Sequence, residues 1–108
     1  VLVGCFLCSA LEQVIIDSDP TMLLRIGDVD DDLSILWTVA SNSTVNLLGL
    51  TATFGNSVTQ RTFHDATELF YEIGSNQTPY YGANYFKRDL NTPTNATRFI
   101  IDTLLSST

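Results

Sequence analysis

The sequence predicts an α/β fold, with an open and mainly parallel sheet flanked by helices. Short β-branched runs alternate along the chain with segments whose apolar residues repeat at the helical period, and turn-forming residues stand between them. This alternation is typical of βαβ units, whose strands pair in parallel through right-handed crossovers. The chain has 108 residues, of which 44% are hydrophobic and 16% charged, so we expect a single hydrophobic core.

The first strand and the first helix are predicted within residues 13–40. Gln13–Asp17 is a β-branched run that ends in acids and a proline, which indicates a buried strand followed by a loop. From Asp30 the pattern changes to the i, i+3, i+4, i+7 spacing of a helix, and the apolar residues that follow this spacing are Leu33, Leu36, Trp37 and Ala40.

Four further elements continue the alternation. They are a strand closed by Gly55 and Asn56, a helix stopped by Gly74, a short strand and a last helix, predicted at residues 46–54, 62–73, 78–83 and 96–105. Ligands of open parallel sheets bind at the carboxyl ends of the strands. We therefore expect the acids after the first strand to lie along one edge of the sheet with Asn56.

The acidic residues are concentrated near the first predicted strand. The net charge is -7, from twelve acids and five bases, and no cluster of basic residues exists to bind a phosphate backbone, so nucleic-acid polymers are excluded as partners. Half of the acids fall within sixteen residues, where Arg25 is the only base: Asp17, Asp19, Asp28, Asp30, Asp31 and Asp32. Such a group of hard oxygen donors favours calcium or magnesium.

Two other kinds of structure also contain acidic residues at such spacings. A solvated loop with helix-capping aspartates would also place carboxylates at a helix start, where the helix dipole favours them. An EF-hand loop is excluded, because Leu33 occupies the position that requires glycine and Val39 the position of the final acid.

The start of the chain predicts export. Residues 1–11 are an apolar run too short to span a bilayer, and they indicate a truncated signal peptide cleaved before Leu11 or Glu12. Cys5 and Cys8 lie inside this run, without the further ligands of a zinc site. Three N-x-[ST] sequons support a secreted, extracellular glycoprotein without a membrane span, at Asn42, Asn76 and Asn95.

Two acidic motifs resemble those of a known family. Val14–Pro20 (VIIDSDP) followed by Asp30–Leu36 (DDDLSIL) is similar to the D-x-D-P-G-x-D-D-x-L-A-I motif of the inosine-uridine nucleoside hydrolase family. Leu48–Asn56 (LGLTATFGN) resembles the family's second strand, Thr62–Gly74 its next helix, and Tyr80–Ala83 its following P-V-x-x-G-A segment. The resemblance implies that residues 12–108 are the N-terminal part of a Rossmann-like nucleoside hydrolase domain, with only the first βαβαβ units present.

The resemblance also implies an activity and its residues. The family hydrolyses the N-glycosidic bond of ribonucleosides to free base and ribose with a Ca²⁺ ion, so the expected partner is a nucleoside, and homo-oligomerisation is left open. Carried over, Asp19 and Asp31 bind calcium, and Asp30 is the catalytic base that takes a proton from calcium-bound water. Asn56 hydrogen-bonds the ribose, and Asp17 supports the loop without binding the metal.

Two features depart from the family pattern, and the register of the paired aspartates is open as well. Residues 21–29 make the connection between the proline and the paired aspartates seven residues longer than in the family. The paired aspartates could be Asp30 and Asp31 or Asp31 and Asp32, and we choose the first pair because it places Ser34 at the family's small position. Asp65 stands where the helix motif has asparagine.

Two alternative functions remain at this point. Asp17–Met22 (DSDPTM) also resembles the D-x-D-x-[TV]-[LV] motif of haloacid-dehalogenase-like magnesium phosphohydrolases, in which Asp17 would be the nucleophile and Asp19 the general acid. The other alternative is an inactive calcium-binding fragment, because the family's remaining ligands and its leaving-group acid lie beyond the part of the fold that the resemblance covers. The 108 residues alone are therefore expected to be inactive.

Export can be tested directly on secreted material. If residues 1–11 are a signal peptide, the secreted protein should begin near Leu11 or Glu12 and should lose mass on treatment with an N-glycosidase. N-terminal sequencing and mass spectrometry measure both. Retention of Val1 in secreted protein would contradict the cleavage.

Overall fold

The computed structural model describes residues 11–24, 28–84 and 93–106. Three strands alternate with three α-helices over these ranges, and a short 3-10 turn at Met22–Leu24 follows the first strand. The strands are β1 (Glu12–Ser18), β2 (Val45–Ala52) and β3 (Tyr80–Tyr81), and the helices are α1 (Asp30–Ala40), α2 (Thr59–Glu72) and α3 (Asn95–Ser106).

The strands form one parallel sheet in the order β1-β2-β3. The β1 and β2 ladder begins at the pair Glu12 and Val45 and ends at the pair Ser18 and Ala52. Its register shifts between Val14 and Ile15, where Leu48 is the extra residue of β2. A bulge of this kind changes which face the following side chains occupy, so Leu47 and Leu50 both reach the same apolar cluster.

The core lies between one face of the sheet and the helices α1 and α2. Its buried members are contributed by β2, by the middle of α1 and by one face of α2: Leu50, Ala52, Ile35, Ala66, Leu69 and Phe70. Residues 66, 69 and 70 lie at helical spacing, so a single stripe of α2 covers the sheet. This packing fixes where α1 and α2 begin, at the carboxyl edge of the strands.

On the opposite face of the sheet, α3 packs against β3 and the middle of β2. Side chains alternate along a strand, so Gly49 faces away from the side that carries Leu50. The Phe99 ring of α3 occupies the space where a Cβ of Gly49 would stand. It also stacks on Tyr80, with ring centroids 4.0 Å apart and an interplanar angle of 8°. Helices therefore lie on both faces, as parallel sheets require.

The predicted α/β class with an open parallel sheet and flanking helices is confirmed, and the buried side of α1 is corrected. The helix buries Asp32 and Ile35, whereas Leu33, Trp37 and Ala40 of the predicted apolar stripe are exposed, Trp37 by 76%. The helix is turned by about one residue, or about 100°, because its first turn bonds to the chain that leaves β1. The third strand has two residues rather than six.

The predicted signal peptide and the longer connection fall wholly or partly outside the described residues. Residues 1–10, with the predicted signal peptide and both cysteines, lie outside the described residues, as do residues 25–27 of the longer connection. Among the helices that the structure describes, none has the length and apolar character needed to cross a membrane.

Removal of the Phe70 side chain should destabilise the fold strongly. Phe70 is 1% exposed at the centre of the core, so Phe70→Ala should lower the free energy of unfolding by about 3–5 kcal/mol. Its neighbour Tyr71 is 78% exposed on the same helix, and Tyr71→Ala should change stability by less than about 1 kcal/mol. Urea denaturation measures both, and equal losses would contradict this core.

Candidate acidic site at the carboxyl ends of the strands

The chain segments that leave β1 and β2 lie side by side. The register pairs Asp17 with Thr51 and Ser18 with Ala52, and the Thr53 amide donates to the Ser18 carbonyl at 3.0 Å. Residues that follow these positions therefore meet at one edge. The first turn of α1 lies at the same edge and carries three consecutive aspartates.

Asp19 and Asp31 form a pair of carboxyl groups at this edge. Asp31 Oδ2 accepts hydrogen bonds from the Ser18 hydroxyl and from the Asp19 amide, each at 3.0 Å. The two carboxyl groups also share a hydrogen bond. Burial and that hydrogen bond raise the pKa of Asp19, whereas the pKa of Asp31 is lowered by the hydrogen bond from Asp19. The pKa values of the two carboxyl groups are therefore displaced in opposite directions.

Gly55 and Asn56 close around Asp19. The Asn56 amide donates to Asp19 Oδ2 at 2.6 Å, and the Asn56 side-chain nitrogen reaches the Asp19 carbonyl at 3.4 Å. A Cβ on Gly55 would collide with the Asp19 carboxylate, so glycine is needed for this close approach. The Gly-Asn ending of β2 therefore binds the acidic segment through its backbone, and the Asn56 side chain remains exposed.

Asp17 and Asp30 lie apart from the Asp19–Asp31 pair. Asp17 Oδ1 accepts a hydrogen bond from the Thr51 hydroxyl at 2.6 Å, which connects β1 to β2. Asp30 is exposed at the first position of α1, and its backbone carbonyl accepts a hydrogen bond from Ser34 at 2.8 Å. The structure thus brings Asp19, Asp31 and Asn56 together and places Asp30 on the outer side of the helix start. The catalytic role of Asp30 stays a prediction.

Asp32 and Asp65 are two acidic residues to which the sequence analysis assigned no role, except that Asp32 was the alternative member of the aspartate pair. Both are fully buried, with 0% exposure. Asp65 lies on the buried stripe of α2 with Thr62, Ala66 and Leu69. That position was the available signal, because an acid at a core-facing helical position needs a buried partner.

The Asp19–Asp31 pair is chemically suited to a divalent cation. Two hydrogen-bonded carboxyl groups in a half-buried site can bind a hard metal ion, which offsets their negative charges. Calcium requires about six to eight oxygen ligands, so water and other groups would complete the shell. In the described ranges, no group of three or more His, Cys, Asp or Glu side chains is arranged as a metal site.

Comparisons with known proteins gave no relative for this chain. No protein-family model, curated protein or solved structure matches it.

Neutralising Asp31 should lower the pKa of Asp19. In Asp31→Asn the negative charge is removed and an amide donor faces the Asp19 carboxylate, so both changes favour ionised Asp19. Asp30→Asn removes the same charge one residue away at an exposed position, and it should leave the Asp19 titration nearly unchanged. NMR titration of the aspartate carboxyl carbons measures both variants. An equal effect of the two substitutions would contradict the pairing.

Proposed function

We propose that the protein hydrolyses the N-glycosidic bond of ribonucleosides, releasing free base and ribose, with a calcium-bound water and an aspartate base. The observation that supports the proposal is the Asp19–Asp31 pair, held beside Asn56 where β1 and β2 end. In an open parallel sheet, this edge is where small-molecule ligands bind. The proposed fold is correspondingly a Rossmann-like nucleoside hydrolase domain.

Asp19 and Asp31 are the residues that would hold the cation. Their carboxyl groups already lie within hydrogen-bonding distance, and the Ser18 hydroxyl and the Asn56 amide fix their orientation. A bound calcium ion would lower the pKa of its water, which makes hydroxide available near neutral pH. Burial is the largest cause of the raised pKa of Asp19, and the repulsion by Asp31 that adds to it would be offset by the ion.

The remaining chemistry is carried by protein side chains. Asp30 accepts the water proton on its carboxylate, next to Asp31 at the start of α1. The exposed Asn56 amide can turn from the Asp19 carbonyl, to which its contact is 3.4 Å long, and donate to a ribose hydroxyl. Positive charge builds on the sugar as the glycosidic bond breaks, and the surrounding carboxylates stabilise it.

Exposure of the sequons supports the proposal of a secreted glycoprotein. Asn42 lies in the turn between α1 and β2, Asn76 lies between α2 and β3, and Asn95 is the first residue of α3. All three side chains are exposed, so an oligosaccharide could be attached without disturbing the core.

Substitution of the two neighbouring aspartates should separate metal binding from proton transfer. In protein produced from the complete gene, Asp31→Ala removes a charged oxygen ligand, so calcium affinity and inosine or uridine turnover should fall together. Asp30→Ala should lower kcat by roughly 10²–10⁴-fold, the loss typical of a missing general base, with much less change in calcium affinity. Calorimetric calcium titration and a base-release assay measure the two quantities.

Several outcomes would contradict these assignments. An intact rate in Asp30→Ala, with loss of turnover in Asp32→Ala and unchanged calcium affinity, would shift the catalytic pair by one residue. Hydrolysis of p-nitrophenyl phosphate without nucleoside turnover would favour the phosphohydrolase with Asp17 as nucleophile. Calcium binding without either activity would indicate a calcium-binding domain.

A further inference from the structure

The buried pair Asp32 and Asp65 has no role in the proposed reaction. Asp32 is contributed by the first turn of α1 and Asp65 by the middle of α2, and both side chains are fully buried. Two ionised carboxylates in contact inside a protein repel each other, and each loses its hydration. The pair therefore needs a specific compensation.

Four consecutive backbone amides supply part of that compensation. Asp32 Oδ1 accepts hydrogen bonds from the Thr21 amide at 3.2 Å and from the Met22 amide at 3.1 Å. Asp65 Oδ1 accepts a hydrogen bond from the Leu23 amide at 2.7 Å, and the Leu24 amide, which donates to the Thr21 carbonyl at 3.1 Å, lies close enough to favour the ionised carboxyl group as well. The two acids thus face the amides of residues 21–24, whereas the amide of Asp19 is bound by Asp31.

The other oxygens of the two acids have no donor. Asp32 Oδ2 and Asp65 Oδ2 are buried, and neither has a donor among the groups that the structure describes. One proton between the carboxyl groups satisfies both oxygens and leaves a single negative charge for the four amides to stabilise. A metal cation is a poor alternative, because the positive ends of four amide dipoles already point at the pair.

We propose that Asp65 is a positioning residue, which as a neutral acid donates a hydrogen bond to Asp32 and so fixes the segment carrying the proposed site. Asp32 holds residues 21 and 22, while its neighbour Asp31 holds the amide of Asp19. Fixing Asp32 therefore fixes the start of α1 against the end of β1. We call the hydrogen bond between Asp65 and Asp32, together with their hold on residues 21–24, the clamp. The link to calcium and catalysis rests on the proposed function, whereas the clamp itself does not.

Below about pH 7 the acid is the favoured form of Asp65 in the folded protein. Burial, followed by the hydrogen bond and the negative charge of Asp32, raises the pKa of Asp65 to about 7. Because this pKa exceeds the unfolded value, the stabilisation is complete below pH of about 4 and is lost as pH rises to about 7. The Asp65 carboxyl group is faced by Asp32 from α1. The other titratable side chains near it belong to α2 and line a cavity with Leu23 and Leu24: His64, Glu68 and Glu72.

Comparison of Asp65→Asn with Asp65→Ala tests the clamp in the full chain. Asparagine donates a hydrogen bond to Asp32 at any pH and still accepts one from the Leu23 amide. Asp65→Asn should therefore keep the stability that Asp65→Ala loses. We expect the Tm of the wild type to fall by about 5 °C or more between pH 5.5 and pH 8, relative to Asp65→Asn. Glu72→Gln, an exposed charge removed from the same helix, is the control and should follow the wild type.

Hydrogen exchange of the segment is the second measurement. The amides of residues 21–24 should exchange faster at pH 8 than at pH 5.5 after correction for intrinsic rates, and Asp65→Asn should abolish that difference. The clamp is wrong if Asp65→Asn has the same Tm and amide exchange as Asp65→Ala at both pH values. It is also wrong if the Tm of the wild type falls no more than that of Asp65→Asn between pH 5.5 and pH 8. If calcium raises the Tm of the wild type and Asp65→Asn abolishes that rise, Asp32 and Asp65 hold a cation. This result would also overturn the clamp.

Calcium titration separates this proposal from the proposed function. If both are correct, Asp65→Ala should weaken calcium binding and Asp65→Asn should preserve it. Absence of calcium binding in every variant, together with the expected pH effects on Tm and exchange, would reject the calcium site and leave the clamp standing. Calcium binding and turnover without those pH effects would reject the clamp and leave the proposed function standing.

Discussion

The described structure depends on the bonding of the first turn of α1 to the backbone that leaves β1. A chain leaving a strand carries amides that have lost their ladder partners, and buried amides must find acceptors. Asp31 accepts from the amide of Asp19, and Asp32 accepts from the amides of Thr21 and Met22. Carboxylates are also favoured at this place by the dipole of α1 itself. One turn of helix thus satisfies the strand end and positions the candidate site.

This arrangement concentrates negative charge, and the structure offsets it in two different environments. Asp19 and Asp31 are hydrogen-bonded to each other at the open edge of the sheet, where a cation from solvent can offset their charge. Asp32 pairs with Asp65 in the closed interior, where four amides point at the carboxyl groups. Consecutive residues of one helix turn therefore belong to sites of different chemistry, because one faces the strand ends and the next faces α2.

The sequence alone is enough to predict the strands and helices and the edge of the sheet at which the acids meet. Periodicity predicted β1, β2 and the three helices, and the parallel topology then placed Asp19 near Asn56. Periodicity could not show the direction of each aspartate, because neighbours on a helix differ by about 100° and the docking angle of α1 decides which one turns inward. The same angle exposes Trp37. The shift of register at Leu48 also leaves no local signal, since it depends on pairing with β1.

The longer connection and the aspartate at position 65 are best understood as one feature. The turn Met22–Leu24 packs against α2, and its amide at Leu23 bonds to Asp65, so the added residues are anchored where they leave β1. An asparagine could accept the same amide and donate to Asp32 at any pH, whereas an acid donates to Asp32 only while it keeps its proton. With its first part fixed in this way, the connection can be longer while Asp31 still reaches Asp19. The two departures that most weaken the family resemblance therefore compensate each other in the structure.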